Sequence, residues 1–118
     1  MNKLNTVGGS LPTVESLRDV VYDIVSQIPY GRVFTYGAIA LLAGYPNHSR
    51  LVGRIMRDAP DNELPCHRVV TSTGRLAPHF PAQAKLLAEE GVNLLPSGRV
   101  SVKKYLWHFN DYIREFGI

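Results

Sequence analysis

The chain has 118 residues, 45% of them hydrophobic and 19% charged, with a formal net charge of +3. This is the composition of a soluble globular protein with one core, and no apolar run reaches the ~20 residues that a membrane helix needs. The single cysteine excludes an internal disulfide and a cysteine-cluster zinc site. So small a net charge does not by itself indicate a nucleic-acid partner. Whether the chain binds nucleic acid must be judged from where the basic residues lie.

The first predicted element is a helix that begins after Thr13, a residue suited to cap it. Apolar residues then recur at helical spacing: Leu17, Val20, Val21, Ile24, Val25 and Ile28. Pro29 and Gly31 end the helix. Residues 1–12 are polar and are expected to be disordered; they lack the apolar run of a secretory signal, so we expect a cytoplasmic protein.

Two short helices are predicted next. Thr35 is a suitable cap for the first of them, and Gly44 ends it after about two turns. The second helix covers roughly His48 to Arg57, with Asn47 as its cap. Two short helices joined by a tight turn predict a helix-turn-helix.

An extended segment and another helix follow this pair. Val69–Thr71 has the composition of a strand, and residues 72–74 form a turn. Pro81 or Ala82 begins a helix that Gly91 stops.

The last part of the chain completes the predicted fold class. Weak alternation over residues 92–102 favours a hairpin, and aromatic residues at helical spacing predict a helical extension over residues 108–118. The class is therefore α+β and mostly helical. We expect one small domain over residues 13–107 with a winged-helix-like helix-turn-helix unit that binds DNA.

The second helix of the pair carries a basic edge. Arg50, Arg54 and Arg57 stand at i, i+4 and i+7 on one side, and apolar residues cover the other side. The planar fork of arginine suits phosphates and base edges. Gly53 costs a helix about 1 kcal/mol relative to alanine, which indicates a close approach to the backbone. DNA contact is one interpretation, and a solvated amphipathic helix is the other.

The one thiol lies in the segment Pro65-Cys66-His67-Arg68-Val69. Alkyl transfer to sulfur requires the thiolate, which is a small fraction of an ordinary thiol at neutral pH. His67, adjacent in sequence, is a candidate base. The alternative is a buried Cys66 with His67 and Arg68 on a surface turn, because sequence neighbours often point in different directions.

Four segments resemble, in the same order, those of the O6-alkylguanine-DNA alkyltransferases. These are the methylated-DNA–protein-cysteine methyltransferases, which move an alkyl group from guanine to their own cysteine. Residues 65–69 are similar to the active-site motif of that family, and residues 28–36 to the segment that leads into its helix-turn-helix. Residues 49–53 are similar to its arginine-finger helix, and residues 83–91 to the helix that supplies a glutamate. The resemblance covers residues 14–107.

The resemblance implies the chemistry of the motif. Cys66 would be the alkyl acceptor, His67 would take its proton through a bound water, and Glu90 would orient His67. Pro65 and Val69 would line the base pocket. The transfer would be stoichiometric, one alkyl group per chain, and would need no cofactor and no metal.

The resemblance also implies the DNA contacts. Tyr36 would press on the phosphate and rotate the nucleotide out of the stack, and Arg50 would enter from the minor groove and fill the vacated space. Gly53 would allow the helix to approach the groove. Further DNA contacts would be Arg54, Arg57 and Ser72. The implied partner is double-stranded DNA that contains O6-alkylguanine, bound by a monomer with no role at a membrane.

The sequence departs from the transferase pattern in two places. Residues 74–81 lack the paired glycines of the loop that closes the guanine pocket, and Asp58 or Ala59 stands where an asparagine is expected. The short chain and its residues 104–107 are more similar to the alkyltransferase-like proteins. Those hold a tryptophan in place of the cysteine, transfer nothing, and flag lesions for nucleotide excision repair proteins. Lesion binding without transfer is therefore the alternative, and a helix-turn-helix transcription regulator is a second one.

Overall fold

Helices are the main regular elements of the structure, a computed structural model that describes residues 14–60 and 63–108. Its elements are α1 (Val14–Ser26), β1 (Phe34–Thr35), α2 (Tyr36–Leu42), α3 (Ser49–Arg57), a 3₁₀ turn (Cys66–Arg68), β2 (Val69–Val70), α4 (Gln83–Glu89) and α5 (Val102–Tyr105). Within the described ranges, no helix has the length and apolarity to cross a membrane. The predictions for Thr13, for residues 1–12 and for residues 109–118 lie outside the described residues.

Three helices form the helix-turn-helix and its support. α1 packs against α2 and α3 through a buried apolar face that includes Leu17 and Val21. The predicted cap at Thr35 is confirmed, because its hydroxyl accepts a hydrogen bond from the Ala38 N–H at 3.0 Å. Gly44 has a φ of +93°, the conformation predicted for the residue that ends α2.

The start of α3 differs from the prediction by one residue. The helix begins at Ser49, and its cap is His48, not Asn47. The reason is the tight turn before it, in which the His48 N–H donates to the Tyr45 carbonyl at 3.0 Å. That turn uses the residue that was predicted to cap the helix.

Two short parallel strands form the sheet. They pair with Phe34 opposite Val69 and Thr35 opposite Val70. The extended segment at Val69 was predicted, but its partner strand was not. The pairing joins the residues that precede α2 to the residues that follow the 3₁₀ turn, so the helix-turn-helix and the cysteine motif share one backbone frame.

Trp107 closes the core from the C-terminal side. It is 2% exposed and packs edge-on against Phe34, with ring centroids 5.0 Å apart. The backbone around Val33 fixes it in place. The Val33 N–H donates to the Tyr105 carbonyl at 3.0 Å, and the Trp107 N–H donates to the Val33 carbonyl at 2.9 Å.

α4 places Glu90 at a helix end. The helix begins at Gln83, one to two residues after the predicted start, and Glu90 is its C-terminal cap. Gly91 follows with a φ of +83°, as predicted for the residue that stops the helix. The Glu90 carboxylate thereby faces the segment that follows α1.

The hairpin predicted over residues 92–102 is wrong. The Leu95 N–H does donate to the Arg99 carbonyl at 2.8 Å in a tight turn, but the described residues form no strand on either side of it. The Val100 N–H donates instead to the Gly74 carbonyl at 2.8 Å. The segment after the turn therefore packs on the preceding loop rather than on its own partner, and the short helix α5 follows.

Candidate functional site

The cysteine motif is a 3₁₀ turn, which explains why Cys66 points away from the two residues that follow it. Pro65 has a φ of −77° and begins the turn, and the Arg68 N–H donates to the Pro65 carbonyl at 3.0 Å. With three residues per turn, successive side chains are about 120° apart. Cys66 therefore points inward and is 6% exposed, whereas His67 and Arg68 both reach Glu90.

Glu90 is the acceptor at the centre of this site. Its Oε2 lies 2.6 Å from His67 Nε2 and 2.8 Å from Arg68 Nη2. Its Oε1 accepts from the Gly31 N–H at 2.8 Å and from Arg68 Nε at 3.0 Å. The carboxylate side chain is only 6% exposed, and those of His67 and Arg68 are 15% exposed. Both oxygens are thus engaged and largely shielded from water.

The electrostatics of Glu90 determine which nitrogen of His67 carries the proton. Burial by itself would raise the pKa of Glu90, but hydrogen bonds from Arg68, Gly31 and His67, with the charge of Arg68, lower it to about 2. Glu90 is therefore an anion at neutral pH and can only accept hydrogen bonds. His67 Nε2 must be the protonated nitrogen, which leaves Nδ1 as the basic one.

Arg68 is a site residue that was not predicted from the sequence. Besides Glu90, its Nη1 donates to the Ile28 carbonyl at 2.7 Å, and its guanidinium lies 5.7 Å from the centroid of the Tyr30 ring. The Tyr30 hydroxyl donates to the Glu89 carbonyl at 2.9 Å. One signal was present in the sequence: an arginine set among apolar residues needs a counter-charge.

Gln83 is a second residue whose role the sequence did not predict. It is fully buried, and its Nε2 donates to the carbonyls of His67 and Val69 at 3.0 and 2.9 Å. Its Oε1 accepts from the Ala77 N–H at 2.7 Å. Gln83 therefore ties the backbone of the cysteine motif to the loop that follows β2. Its signal was a polar residue on the apolar side of a predicted helix.

A groove of about 350 Å³ gathers most of the predicted DNA contacts. Its lining residues are Tyr36, Gly37, Ser49, Arg50, Gly53, Thr71 and Ser72. Four of these were predicted to contact DNA: Tyr36, Arg50, Gly53 and Ser72. Arg54 and Arg57 are exposed on the same helix and do not line the groove. A Cβ on Gly53 would lie 4.0 Å from Tyr36 Cδ1, so the fold itself has room for a methyl group there.

Tyr36 connects the groove to the thiol. Burial raises the pKa of its phenol, and the negative charge of a Cys66 thiolate raises that pKa further. The phenol therefore interacts electrostatically with the sulfur, and Tyr36 also lines the groove. Of the two predicted pocket residues, Pro65 is half-buried and Val69 is 1% exposed in the core, and neither lines this groove.

The described part of the chain offers no cluster of three or more His, Cys, Asp or Glu side chains that could hold a metal ion. The groups available for chemistry are thus a thiol, an imidazole held by a carboxylate, and a phenol. Such a set can move a proton from sulfur to nitrogen and attack an electrophilic carbon.

Comparison with known proteins places the whole arrangement in one family. A family model of the 6-O-methylguanine DNA methyltransferase DNA-binding domain matches residues 16–92. The DNA base-flipping protein of Escherichia coli (strain K12) is 37% identical over 99 residues, which are 80% of this chain and 77% of that protein. The human methylated-DNA–protein-cysteine methyltransferase is 40% identical over 81 residues, which are 65% of this chain and 39% of that protein.

A solved structure agrees with the sequence comparison. The Schizosaccharomyces pombe protein Atl1, in complex with damaged DNA containing O6-carboxymethylguanine, superposes with a TM-score of 0.71 at 35% identity. The match covers 80% of this chain and 96% of Atl1. It confirms the predicted α+β, mostly helical class.

Proposed function

We propose a DNA-repair function on the premise that this chain belongs to the family of 6-O-methylguanine DNA methyltransferase DNA-binding domains. The protein binds duplex DNA through its helix-turn-helix, takes up an O6-alkylguanine turned out of the stack, and accepts the alkyl group on Cys66. The observation that carries this proposal is the 2.6 Å contact between His67 and the Glu90 carboxylate, on the turn that buries Cys66 behind Tyr36.

The DNA half of the proposal rests on the groove between α3 and the loop after β2. A damaged base that enters it meets the phenol of Tyr36, and the exposed Arg50 at its edge is free to occupy the space left in the duplex. Turning a base out costs a few kcal/mol, and least for a poorly paired base such as O6-alkylguanine. Atl1, whose structure contains DNA with O6-carboxymethylguanine, supports this class of partner.

The chemical half rests on the protonation state of the site. The Cys66 thiol gives its proton to His67 Nδ1, directly or through a water. The sulfur then attacks the alkyl carbon, so that the S–C bond forms as the C–O6 bond breaks. The proton on His67 passes to the departing guanine, which restores the neutral base. Because the product is a stable thioether, each chain reacts once.

A lesion sensor that does not transfer is the second candidate. The relatives of similar length favour it, since the Escherichia coli protein is named a base-flipping protein and a second relative is named alkyltransferase-like protein 1. In this case the groove would hold the lesion and mark it for nucleotide excision repair proteins. Cys66 would then take no part in a reaction.

One experiment separates these functions. The protein is incubated with a duplex that contains a single O6-methylguanine, binding is measured against the undamaged duplex, and the intact mass of the protein is then determined. Preferential binding with the gain of one methyl group, absent in Cys66→Ala, supports transfer. Preferential binding without a mass change selects the sensor. Equal binding to both duplexes refutes both and favours a regulator that recognises sequence.

A further inference from the structure

The guanidinium of Arg68 covers the same carboxylate that His67 contacts. Nε and Nη2 donate to the two oxygens of Glu90 at 2.8 to 3.1 Å, and Nη1 donates to the Ile28 carbonyl. Such a paired contact fixes both the position and the charge of a carboxylate. Arg68 does not have to touch the substrate to influence the reaction.

We propose that Arg68 is a positioning residue whose charge cancels that of Glu90 and so lowers the pH at which the Cys66–His67 pair loses its proton. The inference rests on the proposed function, in which the Cys66 thiolate is the nucleophile. It assigns to Arg68 a role in reactivity beyond its hydrogen bonds.

The reason is electrostatic. A carboxylate 2.6 Å from an imidazole nitrogen favours the protonated ring, and it opposes a second negative charge on a neighbouring sulfur. Glu90 alone would therefore hold a proton on the pair. Arg68 offsets this effect, because a guanidinium is charged at every pH at which proteins function. In the proposed function His67 takes the proton of Cys66, so their proton losses belong to the pair and not to either residue.

The charged and titratable groups that face the pair, among the described residues, come from three elements. Glu90 lies at the end of α4, Arg68 belongs to the 3₁₀ turn, and Tyr36 of α2 faces Cys66. The phenol stays neutral near pH 7, because its pKa is raised above an already high value. Of these three groups, Arg68 and Glu90 are therefore the ones that carry a charge near pH 7.

The test is the pH dependence of Cys66 alkylation by iodoacetamide, measured by intact mass on the full chain without DNA. In Arg68→Met the midpoint of the rate profile moves up by about one pH unit, so the rate falls about tenfold at pH values well below both midpoints. Arg68→Lys keeps the charge but not the planar fork, so its midpoint stays with the wild type although its Tm falls. Arg18→Met, a change on the exposed surface of α1, is the matched control and leaves the profile unchanged.

Glu90→Gln gives a shift of opposite sign and keeps the proposal testable where Arg68→Met does not fold. With Arg68 uncompensated, the midpoint moves to lower pH. An unchanged midpoint in Glu90→Gln, or an Arg68→Lys profile displaced as far as that of Arg68→Met, overturns the inference. The alkylating agent in this test is iodoacetamide and not lesion DNA, so its result does not depend on methyl transfer. If the midpoints of the rate profiles shift as expected but no methyl group is transferred from DNA, the proposed function is refuted and the role of Arg68 remains supported.

Discussion

Glu90→Gln is predicted to destabilise the folded protein by about 3 kcal/mol at pH 7. Burial alone would raise the pKa of Glu90, but hydrogen bonds from Arg68, Gly31 and His67 lower it from 4.5 to about 2. One pKa unit corresponds to about 1.4 kcal/mol, so this depression is worth about 3 kcal/mol of stability. Because the carboxylate side chain is only 6% exposed, solvent screens little of that energy.

The direction of the same pKa change fixes the pH dependence. The stabilisation is fully present above pH 4.5, where Glu90 is ionised in both the folded and the unfolded chain, and it is lost as the pH falls through about 2. A glutamine has no such proton to gain. The difference in stability between the wild type and Glu90→Gln should therefore be greatest at neutral pH and shrink across this acid range.

Denaturant titrations at several pH values, followed by the fluorescence of the only tryptophan, Trp107, measure this difference. Trp107 is buried in the core, so its emission reports unfolding. Glu89→Gln is the matched control, because its side chain is exposed one residue away, and it should change the stability by less than about 0.5 kcal/mol. Equal losses in the two variants, or a parallel loss of stability by the wild type and Glu90→Gln on acidification, would show that the ionised Glu90 carboxylate does not stabilise the fold.

Three further predictions concern the groove and the thiol. Gly53→Ala should raise the stability of the free protein by up to about 1 kcal/mol, because the added Cβ meets only Tyr36 at 4.0 Å. The same change should weaken DNA binding in a gel-shift assay. A lower free energy of unfolding or an unchanged affinity for DNA would contradict this. Arg50→Ala should reduce lesion binding far more than Arg57→Ala, which should change the salt slope by about one unit; small, equal effects would mean a merely solvated helix. Cys66→Ala should keep lesion affinity within about threefold by fluorescence anisotropy and lose methyl uptake, because Cys66 does not line the groove that is proposed to hold the DNA. Lost affinity would place the thiol among the binding contacts.

The parts of the fold that were predicted correctly depend on local signals. The cap at Thr35 and the glycines that end helices, Gly44 and Gly91, act within one turn of the chain, so a short stretch of sequence contains the information. The hairpin over residues 92–102 failed because alternation does not specify a partner. The Val100 N–H donates instead to the carbonyl of Gly74, 26 residues earlier, and such a long-range hydrogen bond depends on tertiary packing.

The site was predicted in part for the same reason. His67 and Glu90 are 23 residues apart, and their pairing was implied only by the resemblance to a family. The roles of Arg68 and Gln83 were not predicted, because their hydrogen-bond partners are distant in sequence. Ile28 is 40 residues from Arg68, and Val69 is 14 residues from Gln83. Hydrogen bonds across such separations have no periodic signature, and only the folded backbone brings their atoms together.

The short sheet joins the backbone beside the groove to the backbone of the cysteine turn. Thr35 pairs with Val70 in the sheet, and its side chain caps α2. The helix that begins at Tyr36 therefore starts directly beside β2, the strand that follows the cysteine turn. Backbone hydrogen bonds, rather than a loop, therefore fix the backbone of Tyr36 relative to the turn that contains Cys66. A displacement of about 1 Å between reacting groups can cost about a hundredfold in rate. A fixed distance of this kind suits the proposed reaction, in which one element holds the base and another supplies the sulfur that attacks the alkyl carbon.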